Sequence, residues 1–249
     1  MRLMSWNILH GGGRRVDRIL EVLAEHQPDL LCVQEFRHGE GGARLLAGLA
    51  RLGLSEVAAP ATAQARDNTV MTASCWPLEW ASFPTGAPLP VRGVESRIAT
   101  GPLGGVTILN VHSPQKRPQV PFFASLGDWS RSLDCEAALL GDLNNGVPFV
   151  DSDTDTFDNT HQFTRLLVGG GSARAAGGTD ETGLIDAWRS RHEGVSEFSW
   201  VSAARQNGFR YDHALVTPGL DLRISETHYD HTVREHGISD HSALLVDLD

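Results

Sequence analysis

The chain has 249 residues, enough for one large domain or at most two small ones. A hydrophobic share of 41% excludes global disorder, and a formal net charge of −10, from 21 Lys and Arg against 31 Asp and Glu, excludes a generally basic, non-specific polyanion binder. The 3 cysteines, Cys32, Cys75 and Cys135, lie far apart with no Cys-x-x-Cys spacing, so neither a disulfide scaffold nor a zinc knuckle is expected.

The opening Met1-Arg2-Leu3-Met4-Ser5-Trp6-Asn7 lacks the apolar run of a secretory signal, and no stretch of about 20 apolar residues follows anywhere. The chain therefore reads as soluble and cytoplasmic, with no membrane partner. Residues 2–7 form a first strand-length apolar run. Over 15–26, Val16, Ile19, Leu20 and Leu23 follow a helical spacing that Pro28 stops. Residues 30–35 read as a second strand, and Leu45, Leu46 and Leu49 as a short second helix. Strands at 69–73 and 106–112 precede a third helix over 122–133, which places Phe122, Leu126, Trp129 and Leu133 on one face. Further strands are expected at 137–142, 213–217 and 242–247. Between them, from Gly146 to Gly183, lies a polar segment with Asp151, Asp153, Asp155 and Asp158, then Gly169-Gly170-Gly171 and Gly177-Gly178. It reads as two long surface loops around a short helix near 161–168. Several strands follow one another too closely for a crossover helix, so mixed sheets with outer helices are expected, in a single domain over 1–249.

Polar residues stand at the ends of these runs. Asn7, Glu35, His112 and Asp142 each close an apolar run, and Asp240-His241 stands just before one. Strand ends converge at one sheet edge, where open α/β architectures place their sites. Glu35 is either an exposed strand-end charge or a carboxylate with a cation or hydrogen-bond partners. In Gly141-Asp142-Leu143-Asn144, Gly141 permits a close or unusual backbone path, and Asp142 with Asn144 forms either an ordinary turn or a pair that orients water and a phosphoryl oxygen. Asp240 offers hard oxygen to a divalent ion, and His241 can meet a phosphate or share a proton with an acid. Asp212 is a candidate to orient a histidine. His228, His231 and His236 are spaced too unevenly for a tight metal site and read as loop histidines.

Taken in order, Met4-Ser5-Trp6-Asn7, Asp29 through Glu35, Asn110-Val111-His112-Ser113-Pro114, Gly141-Asp142-Leu143-Asn144, Arg210-Tyr211-Asp212-His213 and Ser239-Asp240-His241 resemble the endonuclease/exonuclease/phosphatase superfamily. The resemblance spans almost the whole chain. It implies a four-layer α/β/β/α sandwich of two mixed sheets with outer helices, as in deoxyribonuclease I, and metal-dependent phosphodiester hydrolysis with Mg²⁺ or Mn²⁺. By that resemblance Glu35 is the principal metal carboxylate, with Asn7 and Asp240 near the metal or its waters. Asp142 aligns or deprotonates the attacking water and Asn144 holds the phosphate. His241 stabilises the developing charge with Asp212 behind it, and His112 matches the phosphate-contacting histidine of the deoxyribonuclease I branch.

Gly183-Leu184-Ile185-Asp186-Ala187-Trp188-Arg189 and Phe198-Ser199-Trp200 are similar to segments of exonuclease III-like nucleases. His112-Ser113-Pro114 departs from the tyrosine-containing motif of the abasic-site branch, and Tyr211 replaces its usual isoleucine. Basic residues near predicted loops, Arg14, Arg15, Arg18, Arg92, Arg97, Lys116, Arg117, Arg205 and Arg210, are consistent with a nucleic-acid groove. Asn68, Lys116, Arg117, Arg210 and Trp200 are the expected substrate contacts. The expected partner is a phosphodiester in DNA or RNA; a small phosphoester, nucleotide or lipid headgroup, and a binding module without chemistry, are the alternatives.

Overall fold

The computed structural model describes residues 1–83, 92–167 and 183–249. In chain order its strands are β1 (Arg2–Asn7), β2 (Leu30–Phe36), β3 (Glu56–Ala58), β4 (Thr69–Ser74), β5 (Leu78–Ser82), β6 (Gly93–Ile98), β7 (Thr107–His112), β8 (Ala137–Asp142), β9 (Ile185–Asp186), β10 (Trp200–Val201), β11 (Gly208–Phe209), β12 (Asp212–Val216), β13 (Ile224–Asp230) and β14 (Ala243–Leu248). Four helices matter to the layers: α1 (Val16–His26), α2 (Glu40–Arg51), α3 (Gln119–Arg131) and the short α4 (Thr160–Thr164).

Apart from the β10–β11 hairpin, the strands build two six-stranded sheets, in the orders β13-β14-β1-β2-β4-β3 and β5-β6-β7-β8-β12-β9. Each sheet holds one parallel pair, β1 with β2 and β7 with β8. A parallel pair needs a crossover, and α1 and α3 supply one each. The remaining pairings are antiparallel. The expected mixed sheets are thus present, with helices outside.

Side-chain alternation assigns the layers. On β1 and β2, Leu3, Leu30 and Cys32 enter a core that also takes Ile108, Ala138, Leu140 and Ala214 from the second sheet. Their neighbours Met4, Trp6, Leu31 and Val33 face the other way, onto Ile19, Leu23, Leu45 and Leu49 of α1 and α2. Leu109, Val111, Leu139 and Leu215 likewise face Phe122 and Leu126 of α3 and Phe163 of α4. Central strands buried on both faces read as unbroken apolar runs, which is why the sequence displays them. The strands it did not display are the two-residue β9, β10 and β11, and β3, β5, β6 and β13 at or beside sheet edges, where polar residues such as Glu79, Arg97 and Glu226 break the apolar pattern.

α1 begins at Val16 and ends at His26, capped by Gln27, whose left-handed conformation (φ 50°) returns its N–H to the Leu23 carbonyl just before Pro28. α3 starts three residues before the predicted 122 and stops at Arg131, leaving Leu133 beyond the helix but packed on the core. The helix expected near 161–168 is α4; Val168 and the glycines at 169–171 and 177–178 lie outside the described residues. Among the described residues no helix is long and apolar enough to cross a membrane.

Candidate active site

Parallel pairing aligns strand ends. β1 and β2 bring Asn7 and Glu35 to one edge of the first sheet, and β7 and β8 bring His112 opposite Asp142 at the corresponding edge of the second. β12, antiparallel to β8, starts there with Asp212 opposite Asp142. β14, antiparallel to β1, is preceded there by Asp240 and His241. The two edges meet across the sandwich: Asn7 Nδ2 donates to Asp142 Oδ2 at 3.0 Å.

Two backbone departures aim the carboxylates. At Gly141 φ is +146°, and a Cβ there would lie 1.9 Å from the Val111 carbonyl oxygen, so only glycine lets β8 run this close to β7. Glu35 sits at φ +59° where the β2–β4 register slips between Gln34 and Phe36. That bulge turns Glu35 out of the strand alternation, at a backbone cost of about 1–3 kcal/mol. Asn144, at φ +47°, donates from its backbone N–H to Asp142 Oδ1 at 2.9 Å and from Nδ2 to the Ser113 carbonyl at 3.0 Å.

The centre is a buried group of Asp142, Asp212 and His241, whose ligand atoms lie within 4.8 Å of one another. His241 Nδ1 is 2.8 Å from Asp212 Oδ2, and its Nε2 is 3.8 Å from Asp142 Oδ2. His112 Nε2 approaches the same oxygen at 3.6 Å. Ser199 Oγ accepts the Tyr211 and Asp212 backbone N–H groups, Tyr229 donates its hydroxyl to the Asp212 carbonyl, and Trp6 Nε1 donates to the His241 carbonyl. These contacts fix both members of the His–Asp pair.

Electrostatics separates the two histidines. Burial alone would lower His241, but the Asp212 and Asp142 carboxylates outweigh it and push it up to about 10. Burial, with the Arg92 and His241 cations, pushes His112 down to about 3. One imidazole is therefore a charged donor and the other is neutral at pH 7. Burial, reinforced by Asp212, pushes Asp142 up to about 7 against the opposing His241 charge, the range of a working general base. Burial also favours the neutral form of Glu35, but the His10 backbone N–H, His112, the His10 ring and the Asn7 amide hold it below the usual carboxylate range.

These residues fit a hard cation. Glu35, Asp142, Asp240 and Asn7 present carboxylate and amide oxygens, the donor set of Mg²⁺-like ions. Asp212 spends Oδ2 on His241 while its Oδ1 is buried with no hydrogen-bond donor, so negative charge in this cavity exceeds its local compensation. A second close group, Glu226, His228 and Asp247, does not offer the same: Arg2 holds both Asp247 oxygens at 2.8 Å.

Residues 4–241 match the profile described as the Endonuclease/Exonuclease/phosphatase family. The chain belongs to this family. It is a phosphoesterase of the endonuclease/exonuclease/phosphatase family, with the buried Asp/His centre described above. Among solved structures, an AP endonuclease from Archaeoglobus fulgidus is similar over 100% of this chain and 99% of its own, at a TM-score of 0.79 and 20% identity. The 3′-5′ exonuclease NExo of Neisseria meningitidis aligns over 100% of both chains, at 0.77 and 20%. A structure of the 3′ phosphatase NExo from Neisseria bound to product DNA hairpin aligns over 100% of this chain and 99% of its own, at 0.76 and 20%. At this identity the likeness is one of fold, and it covers the whole sandwich.

Within this family fold, the residues singled out from sequence fall into three positions. Asn7, Glu35, His112, Asp142, Asn144, Asp212 and His241 occupy one end of the sandwich. Asp240 is exposed beside them and receives Trp200 Nε1 at 3.2 Å, and Arg15, donating to the Ile238 and Leu9 carbonyls, ties the segment before Asp240 to the turn after β1. Asn68 lies against His10, the partner of Glu35, and Lys116 and Arg117 are exposed on the loop after His112.

Arg210 is a correction. It is 1% exposed and its guanidinium is spent on Asp151 and Asp186, each at 2.6 Å, with the Trp188 ring 5.2 Å away. A side chain enclosed in this way reaches no substrate at the surface; it ties β9, through Asp186, to the segment that carries Asp151. Two groups escaped individual notice. Arg92 acts on Asp142, Glu35 and His112, yet it reads in the sequence as one more surface arginine. His10, at 2.7 Å from Glu35, follows a strand end without any residue pattern that marks it.

Proposed function

We propose that the chain is a divalent-metal-dependent phosphodiester hydrolase, using Mg²⁺ or Mn²⁺, and that it is a nuclease cleaving DNA or RNA by in-line attack of water. The observation that carries this is the chain of contacts Asn7–Asp142–His241–Asp212: a buried base poised near neutrality beside a charged histidine. Asp142 accepts a proton from the attacking water while Asn7 and the Asn144 backbone N–H hold its oxygens in place. His241, kept charged by Asp212, donates from Nε2 to the phosphate oxygens as their charge grows. Neutral His112 faces the same cavity, and the Arg92 guanidinium, whose charge bears on Asp142, Glu35 and His112, draws phosphate inward. Glu35, Asn7 and Asp240 would hold the ion. When bound, such an ion neutralises non-bridging oxygens and lowers the pKa of water.

A nucleic-acid substrate is supported by the DNA hairpin in the Neisseria 3′ phosphatase structure and by Lys116, Arg117, Asn68 and Trp200 around the site. The net charge of −10 favours a second reading, a small phosphoester, because it weakens long-range attraction to a polyanion. Turnover of duplex, single-stranded and abasic oligonucleotides, of bis-p-nitrophenyl phosphate and of p-nitrophenyl phosphate, each in chelator and after Mg²⁺ or Mn²⁺ is restored, tests both. Cleavage of oligonucleotides that survives exhaustive chelation refutes the metal-dependent reading. Activity confined to the small esters replaces the nuclease reading with the second one.

A further inference from the structure

One end of the cleft carries two guanidinium groups with N–H donors to spare. β4 and β6 face each other across the sandwich, where Val94 packs with Val70 and Ala58. Both strands begin at the edge that holds the catalytic centre. Thr69 pairs with Phe36, the residue after Glu35, and Gly93 pairs with Val111, the residue before His112. One residue further out stand Asn68 on the first sheet and Arg92 on the second. Alternation turns Arg92 inward. Val94 and its partner Asn110 point between the sheets, Asn110 reaching the Met71 carbonyl at 2.9 Å. Arg92, two residues before Val94, and His112, two residues after Asn110, share that face.

Arg92 is half-buried, and among the described residues its guanidinium makes no hydrogen bond or ion pair. Burial holds it below the usual arginine value against the pull of the Asp142 and Glu35 carboxylates. Five N–H donors partly withdrawn from water, with nothing to receive them, favour an incoming anion. On the facing lip, Arg37 donates from Nε to Asn68 Oδ1 at 2.6 Å. That contact fixes the plane of its guanidinium, while among the described residues neither Nη has a partner. The stem is fixed as well: a Cβ on Gly11 would lie 2.9 Å from the Arg37 Cβ, so the turn after β1 packs against it. An arginine held by Nε and open at both Nη presents the parallel N–H pair that grips a phosphate. Arg2, Arg189, Arg191 and Arg210 are spent on carboxylates; these two are not. In a chain of net charge −10, two uncommitted guanidiniums on facing lips of one cleft mark where an anion is received.

We propose that Arg37, held by Asn68 and faced by Arg92, forms a second phosphate subsite, which takes the phosphate next to the scissile one along a nucleic-acid strand. The inference rests on the nuclease reading above and deepens it. The catalytic centre takes one phosphate. Arg92, whose register sets it beside His112, leads from there to Arg37, and cationic positions in succession match the repeat of a sugar–phosphate backbone. An ester with a single phosphate has nothing to offer the second position.

The probe is an oligonucleotide of the type that the wild type cleaves, carrying an uncharged methylphosphonate at the linkage next to the site of cleavage, on each side in turn. Wild-type KM is expected to rise about tenfold for one of the two substitutions. In Arg37→Met the KM for the unmodified strand should rise by a similar factor, and the methylphosphonate should then add less than about twofold, because its partner is already gone. The dependence of log KM on log salt should lose about 0.7–0.9 of its slope in the same variant. Arg37→Lys keeps the charge without the fork and should fall between the two. Methylphosphonate effects equal in wild type and both variants overturn the subsite, whatever the variants do to stability. A nucleoside 3′,5′-bisphosphate that competes as tightly as the strand, and loses this in Arg37→Met, overturns the strand assignment and gives the subsite to a small ester. Wild-type protein that cleaves no oligonucleotide sinks the nuclease reading, a different failure from cleavage in which modification and variant act independently.

Discussion

Replacing Arg210 by methionine separates architecture from recognition. The guanidinium is the shared counter-charge of Asp151 and Asp186, and Arg189 adds a contact to Asp151 at 3.0 Å. Methionine fills much of the volume but leaves two carboxylates buried with that charge gone. Breaking a buried pair from one side costs about 3–5 kcal/mol. At about 2–4 °C per kcal/mol for a chain of this size, the melting temperature should fall by about 6–20 °C. The pH dependence should also reverse. In the wild type burial favours the neutral form of both carboxyls, but Arg210, helped by His213, overrides it and holds them below the usual range. A depressed carboxylate contributes stability that is present above its unfolded pKa, about 3.9, and is lost as pH falls through the folded value. Without Arg210, burial should raise both, so the variant should instead gain stability as pH drops from about 6 toward 4. Melting curves from pH 3 to 8, with KM for an oligonucleotide beside them, read the outcome. An unchanged melting temperature with a raised KM would refute this account and return Arg210 to the substrate.

Three further outcomes follow from the site. Asp142→Asn should reduce turnover by about 10²–10⁴-fold without lowering the melting temperature, because it removes a charge that burial disfavours by more than His241 stabilises it; a loss of stability matching the loss of activity would contradict that. His241→Ala should lower kcat by orders of magnitude while leaving the fold, and near-native turnover would remove His241 from its role. Gly141→Ala places a Cβ 1.9 Å from the Val111 oxygen on a backbone at φ +146°, adding about 1–3 kcal/mol of strain before the clash is counted. A melting temperature within about 2 °C of wild type would show that β7 and β8 can part there.

What the sequence made legible was governed by burial. β1, β2, β4, β7, β8, β12 and β14 have both faces covered and so appear as apolar runs, and the polar residues that end them, Asn7, Glu35, His112 and Asp142, stand out against that background. Gly141 was legible for the same reason, since a glycine inside an apolar run marks close backbone approach. β5 and β13 were hidden because edge strands alternate with solvent and carry Glu79 or Glu226 where a core strand would carry valine. Arg210 was misplaced because a motif gives position along the chain and not depth. Only Asp151 and Asp186, 59 and 24 residues away, reveal that its charge is already satisfied. His10 depends on a left-handed turn that three glycines permit but no spacing announces.

The division of the site between the sheets explains why its residues are scattered through the sequence. Asn7, Glu35, Asp240 and His241 belong to the first sheet, and His112, Asp142 and Asp212 to the second. Neither sheet alone holds both Asp142 and His241. The join is made by Asn7 with Asp142 and by His241 with Asp212, and it is backed deeper in the sandwich by Gln34 Nε2 on Asn110 Oδ1 at 2.9 Å and Asn110 Nδ2 on the Met71 carbonyl at 2.9 Å. Hydrogen-bonded amides between otherwise apolar faces fix how one sheet sits on the other, because any slip strands buried polar groups. Register between the sheets is thereby tied to the geometry of Asp142 and His241, so the polar layer beneath the site holds the proposed catalytic pair in place from below.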